Sequence, residues 1–469
     1  MQNLSHTAAG PPSVVVELRL GYVWTVASVA ALGGLLFGYD WVVIGGAKPF
    51  YQAYFHLQDP ALVGWANSCA LLGCFLGSFL AGRCSDLLGR KRVLAIAAVL
   101  FLGSSVLTGW SHSFSAFVVW RIVGGTAIGL ASNVSPTYIA EISPAAWRGR
   151  LVTMNQFALV VGIVAAQLVN WRVSVWGDHL DASWNDLYGW RWMFTVVAVP
   201  AFLLLVFTPL IPESPRWLVK KGRDIRALKV LTAIGGPRYG ESELTSIRES
   251  FLLERRGGTW QRLHRKPLSK LLAIGIGLAV LQQGCGINIF FNYAQEVYRR
   301  AGFTLNQVMS DIVITGSVFL AFTVVAIMLV DRLGRRRLML IGCAGIGTMN
   351  LLASLAYRAH WPGIWILFLT LTAIAFYAMS LAPVTWVLIT ELFPNSVRAL
   401  AVSISVGALW IASFVLTYTF PFINQSFGTS GAFLLYGSIC LIGFAFVFFC
   451  VPETKCRSLE QIETLEQLR

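Results

Sequence analysis

The chain of 469 residues carries 36 Lys+Arg and 22 Asp+Glu, a charged fraction of 12% and a formal net charge of +14. Soluble globular proteins are roughly 25% charged, whereas 56% of this chain is hydrophobic. That balance excludes a disordered protein, a nucleic-acid-binding tail protein and an ordinary cytosolic enzyme, and it points to a polytopic membrane protein.

A bilayer core about 30 Å thick takes roughly 20 helical residues. After a polar tail over 1–20, apolar runs of that order fall near 22–47, 61–82, 93–110, 114–140, 151–171 and 192–211. Six more fall near 269–298, 308–330, 338–357, 362–390, 399–423 and 430–451. The spacing predicts an all-α membrane protein of twelve transmembrane helices: a six-helix bundle over 21–211, a second over 269–451, and a tail over 452–469. Between the bundles, 212–268 is charged and periodic, as in Asp224-Ile-Arg-Ala-Leu-Lys-Val-Leu231, and reads as short amphipathic helices on a membrane face.

Lysine and arginine set the orientation. With both termini inside, 29 of them fall on the cytoplasmic side and six on the other, and Arg121 lies within a span. The positive-inside rule then accounts for the basic excess, so no nucleic-acid partner is expected. The eight cysteines are scattered, without a CxxC pair or a histidine at metal-ligand spacing, so no metal or cofactor is expected.

The halves repeat. Asp86-Leu-Leu-Gly-Arg-Lys-Arg returns as Asp331-Arg-Leu-Gly-Arg-Arg-Arg, and Glu141-Ile-Ser-Pro-Ala-Ala-Trp-Arg148 returns as Glu391-Leu-Phe-Pro-Asn-Ser-Val-Arg398. Pro212-Glu-Ser returns as Pro452-Glu-Thr. Three pairs in one order on one face imply a parallel duplication, the architecture of an alternating-access transporter.

Asp40 is the one carboxylate placed well inside an apolar run, and the six histidines all fall outside the spans. Asp40 lies seven residues before the outer end of span one, and Arg121 seven residues after the outer start of span four. At 1.5 Å per residue both sit roughly 10 Å deep, so they can pair. Dry surroundings favour a neutral carboxyl and a guanidinium favours the carboxylate. A site alternating between these settings takes up a proton on one face and releases it on the other. The competing reading is a static ion pair holding spans one and four together.

Span seven holds four amides, Gln282, Gln283, Asn288 and Asn292. Amides suit the hydroxyls of a neutral sugar, although they also serve as interhelical hydrogen-bond glue. Gly284 and Gly286 can unwind the turn between the glutamines and the asparagines and bring them together.

Several longer motifs add to this reading: Gly33-Gly-Leu-Leu-Phe-Gly-Tyr-Asp40, Arg121-Ile-Val-Gly-Gly, Pro136-Thr-Tyr-Ile-Ala-Glu141, Pro212-Glu-Ser-Pro-Arg-Trp217, Gln282-Gln-Gly-Cys-Gly-Ile-Asn288 and Pro452-Glu-Thr-Lys455. Through them the chain resembles the sugar porter family of the major facilitator superfamily. Within it, the bacterial proton–xylose symporters are most similar and the animal facilitative glucose transporters next. The resemblance implies a major facilitator fold and inward symport of a pentose or hexose, such as xylose or glucose, with a proton. The alternatives are a proton-independent uniporter and, further off, a membrane sugar sensor. It implies sugar contacts at Gln156, Trp386 and Trp410, with Phe37, Tyr293 and Tyr377 lining the same cavity. It also implies a cytoplasmic gate of Asp86, Arg90, Glu141, Arg148, Glu213, Arg216, Asp331, Arg335, Glu391 and Arg398. The expected partners are a small neutral sugar, a proton and the bilayer of a bacterial inner membrane, with the chain acting as a monomer. Four positions depart from the xylose pattern, Leu87, Ile163, Ala382 and Leu409, and Asn292-Tyr293 replaces the usual Tyr-Tyr.

Overall fold

The computed structural model describes residues 18–181, 183–254, 268–393 and 397–454, apart from the side chains of 252–254, 331 and 399. The described chain is all-helical, with eleven stretches long and apolar enough to cross a membrane. The eleventh, Leu400–Cys450, has 51 residues, more than twice what a bilayer core takes. It breaks at Gly428, whose φ of 69° only glycine adopts readily, and so supplies two spans.

The first bundle consists of α1 (Leu20–Tyr54), α2 (Pro60–Leu88), α3 (Arg90–Gly109), α4 (Phe114–Ile142), α5 (Arg148–Leu180) and a sixth span made of α6 (Trp190–Thr195) and α7 (Ala198–Phe207). Two helices follow on the connecting segment, α8 (Pro215–Lys220) and α9 (Asp224–Glu254), the latter kinked at Gly235 and Gly236. In the second bundle, span seven is divided into α10 (Leu268–Gly284), α11 (Ile287–Asn292) and α12 (Ala294–Arg300). Then come α13 (Leu305–Leu333), α14 (Arg335–Arg358), a tenth span made of α15 (Gly363–Met379) and α16 (Leu381–Glu391), and α17 (Arg398–Cys450).

The connecting segment builds a small core of its own from Trp217, Leu218, Ala227, Leu231, Leu244 and Ile247. It docks on the first bundle, where Trp217 Nε1 donates to the Asp86 carbonyl at 3.0 Å and Lys220 pairs with Asp86 at 2.9 Å. This side of the molecule is the linker face, and the opposite side is the far face. Residues 255–267, part of the expected amphipathic linker, lie outside the described residues.

One sequence expectation needs correcting. The apolar run ends at 47, which assigns Lys48 to the outer loops. Helix α1 runs on to Tyr54, and Lys48 is a helical residue with no exposed surface.

Candidate functional site

Helix α1 presents Asp40 to α4, and Arg121 Nη1 donates to Asp40 Oδ1 at 2.8 Å. Both residues are buried, at 4% and 3% exposure. The guanidinium also lies 5.3 Å from the Phe194 ring centre. Asp40 Oδ2 is buried without a hydrogen-bond partner among the described residues. Beside it, a Cβ built on Gly124 would lie 3.4 Å from Oδ2 and 3.1 Å from Ser104 Oγ, so the glycine leaves room next to this oxygen.

Span seven unwinds where the two glycines stand. Helix α10 ends at Gly284, and Gly286 takes a left-handed φ of 86° before α11 begins. The break lets Asn288 Nδ2 donate to Gln283 Oε1 at 2.9 Å and to Ser413 Oγ at 3.0 Å. Gln282 Nε2 donates to the carbonyls of Leu381 and Ala382, at 3.1 and 3.2 Å, where the tenth span is itself interrupted. Four polar atoms here have no partner among the described residues: Gln282 Oε1, Asn288 Oδ1, Asn292 Oδ1 and Trp410 Nε1. Each of these buried acceptors, and the indole N–H, is a group that a polyhydroxylated ligand can satisfy.

The Trp410 ring meets Phe37 of the other bundle at 5.8 Å. Gln156 and Trp386 are partly exposed, and Asn292 and Tyr377 are buried. Tyr377 stacks on Phe319 at 6.1 Å, and Tyr293 donates its hydroxyl to the Thr417 carbonyl at 2.7 Å. Both tyrosines engage neighbours of their own bundle, and the Tyr293 ring also meets Lys48 of the first bundle at 3.9 Å. Ser413, whose hydroxyl meets Asn288, is absent from the sequence-based set, since one serine in an apolar run carries no signal.

On the far half the bundles close tightly. Trp41 lies 5.4 Å from Phe291, and a Cβ on Gly45 would come within 1.9 Å of the Phe291 carbonyl oxygen. Only glycine lets α1 and α11 approach so closely. Near the same seam Lys48 pairs with Glu296, neither of which stands out in the sequence.

At the linker face the duplicated motifs form duplicate networks. Arg90 pairs with Glu141 at 2.9 Å, and Ser214 Oγ donates to the same carboxylate at 2.5 Å. In the second bundle Arg335 pairs with Glu391 at 3.1 Å, and Thr454 donates to Glu391 at 2.5 Å. Glu213 accepts from the backbone N–H groups of Arg90, Lys91 and Ser214, and Glu453 from those of Arg335 and Arg336. Each carboxylate caps a helix start that follows a glycine of positive φ, Gly89 at 95° and Gly334 at 88°. These pairs lie within single bundles. Arg148 and Arg398 donate to the carbonyls of Ala140 and Phe393, at 3.1 and 3.0 Å, and Arg216 to Ser250 at 3.4 Å. The Asp331 side chain lies outside the described residues.

Comparison with known proteins agrees with this fold. Residues 26–465 match the family "Sugar (and other) transporter". The chain is 37% identical to the D-xylose-proton symporter of Escherichia coli, covering 96% of each chain. It is also 37% identical to the arabinose-proton symporter of Bacillus subtilis, covering 95% of each. Among solved structures, the xylose transporter of Escherichia coli in a partially occluded inward-open conformation superimposes with a TM-score of 0.84 at 35% identity, covering 94% of this chain and 100% of the other. The chain belongs to the sugar transporter family.

Proposed function

We propose that this protein carries one neutral monosaccharide, a pentose or a hexose, inward together with a proton. The two bundles rock about the unwound part of span seven, so that the cavity opens to one face at a time. The observation that carries the reading is the buried Asp40–Arg121 pair, with one carboxylate oxygen left without a hydrogen-bond partner among the described residues. The carboxylate is held by one strong partner within the first bundle, and a proton at Oδ2 removes the charge on which that hold depends. The relatives named as proton symporters for xylose and arabinose support the coupling.

The sugar meets Gln282, Gln283, Asn288 and Asn292 from span seven, Gln156 from α5, Trp386 from α16, and Trp410 against Phe37. Tyr293 and Tyr377 back this wall. The bundles are the units 21–211 and 269–451, and the segment 212–268 joins them. The linker face is cytoplasmic by its excess of lysine and arginine. Both termini then lie in the cytoplasm of a cell whose plasma membrane holds the protein as a monomer. Asp86, Arg90, Glu141, Arg148, Glu213, Arg216, Asp331, Arg335, Glu391 and Arg398 form the inner gate, and those of its charges that pair within a bundle are available to re-pair across the seam when that face closes. Transport needs binding and conformational exchange and no covalent step.

Uniport is the second reading, because Arg121 also reaches the Asp40 backbone carbonyl at 3.5 Å, as a static tie between α1 and α4 would. Labelled-sugar uptake into proteoliposomes with and without an imposed pH gradient separates the two. Symport predicts accumulation above equilibrium only with the gradient; uniport predicts equilibration in both.

A further inference from the structure

Lys48 stands eight residues beyond Asp40 on α1, so about 12 Å closer to the far face. It has no exposed surface, and its ammonium pairs with the carboxylate of Glu296 on α12 in the other bundle. The ammonium also lies 3.9 Å from the centre of the Tyr293 ring, whose hydroxyl is fixed to Thr417. Glu296 Oε2 is buried without a partner among the described residues. This lysine therefore joins the two bundles through one carboxylate and one aromatic face, both belonging to span seven.

We propose that Lys48 and Glu296 are positioning residues for transport: they latch the far face shut and set how the protein divides its time between its two openings. The proposal rests on the rocking motion inferred above. A buried ion pair gains little over an apolar contact, because desolvation offsets most of the Coulomb attraction. Its property at a moving seam is different. When the bundles part, water re-solvates both charges, whereas an apolar plug of the same size would expose its surface at a cost. The pair therefore closes the seam specifically and opens it cheaply. Removing Glu296 strands the fully buried Lys48 ammonium and disfavours the closed far face strongly, whereas Glu296, whose side chain is 25% exposed, is stranded less when Lys48 is removed.

The test is the half-saturating sugar concentration measured from each face in oriented proteoliposomes. The proteins are the wild type, Lys48→Met, Glu296→Gln and the double variant. A bias toward the far-open state raises apparent affinity at the far face and lowers it at the linker face by the change in population. Glu296→Gln is expected to shift the ratio of the two values at least about tenfold toward the far face, and Lys48→Met in the same direction by less. The double variant, with no stranded charge, is expected to return to within about threefold of wild type. Single variants with the wild-type ratio, or a double variant whose shift is the product of the two, would overturn the latch. Exchange of labelled sugar by the same preparations shows that the variants are folded, and a wild type without any flux would instead sink the transport reading.

Discussion

The guanidinium of Arg121 and the carboxylate of Asp40 meet at 2.8 Å between α4 and α1, in a part of the first bundle where neither side chain reaches solvent. Breaking such a pair by removing one partner costs roughly 3–5 kcal/mol because a charge is stranded. Arg121→Gln leaves the Asp40 carboxyl without its partner and should uncouple the proton from the sugar. The expected result is sugar exchange without accumulation, together with a lower melting temperature in detergent, both readable on one preparation.

Trp410 offers a test of the cavity that spares the packing. Its ring rests against Phe37, while Nε1 has no partner among the described residues. Trp410→Phe keeps an aromatic face and removes one donor, so sugar affinity should fall by about three- to tenfold, the worth of one hydrogen bond. Trp386→Ala, which removes a whole ring, should cost more. Titration of binding by intrinsic fluorescence or calorimetry reads both, and wild-type affinity in both variants would place the sugar elsewhere.

Gly45 sits so close to the Phe291 carbonyl that any Cβ collides with backbone. Gly45→Val should prop the far face open. Sugar binding from that face is expected to persist while net flux drops at least about tenfold, because a wedge against backbone cannot be relieved by a side-chain rotation. Flux and binding measured side by side decide the point.

Glu213 and Glu453 each accept backbone N–H groups at a helix start. Glu213→Ala and Glu453→Ala should each cost about 1–2 kcal/mol of stability, as the loss of a helix cap does. Because the networks lie in separate bundles, the two losses should add. Thermal unfolding of the singles and the double checks this.

Much of this arrangement is legible in the amino-acid sequence alone. The apolar runs mark Asp40 and Arg121 as the carboxylate and the guanidinium set well inside spans one and four, and the two do pair. The run that sets the depth of Asp40 ends at Ala47, whereas α1 itself runs on to Tyr54. The Gly284 and Gly286 break is equally readable, since only glycine readily takes the left-handed turn that joins Gln283 to Asn288. Lys48 escapes for the opposite reason. Hydropathy ends the first run at Ala47, whereas packing against span seven carries the helix on, and the carboxylate that explains the lysine lies 248 residues away. The linker-face charges stand out as a set, but their pairing does not. Repeat spacing gives the order of helix ends along the chain and says nothing of which ends stand side by side. The capping by Glu213 and Glu453, and the bonds of Ser214 and Thr454 to Glu141 and Glu391, emerge only in the folded chain.

The most direct test of proton coupling is the pH of a weakly buffered suspension of de-energised vesicles as sugar is added. Wild-type protein should make the medium more alkaline in step with sugar entry, and Asp40→Asn should abolish that signal while labelled-sugar exchange continues. Proton uptake by Asp40→Asn equal to wild type, or wild-type sugar entry with no change in pH, would contradict the account.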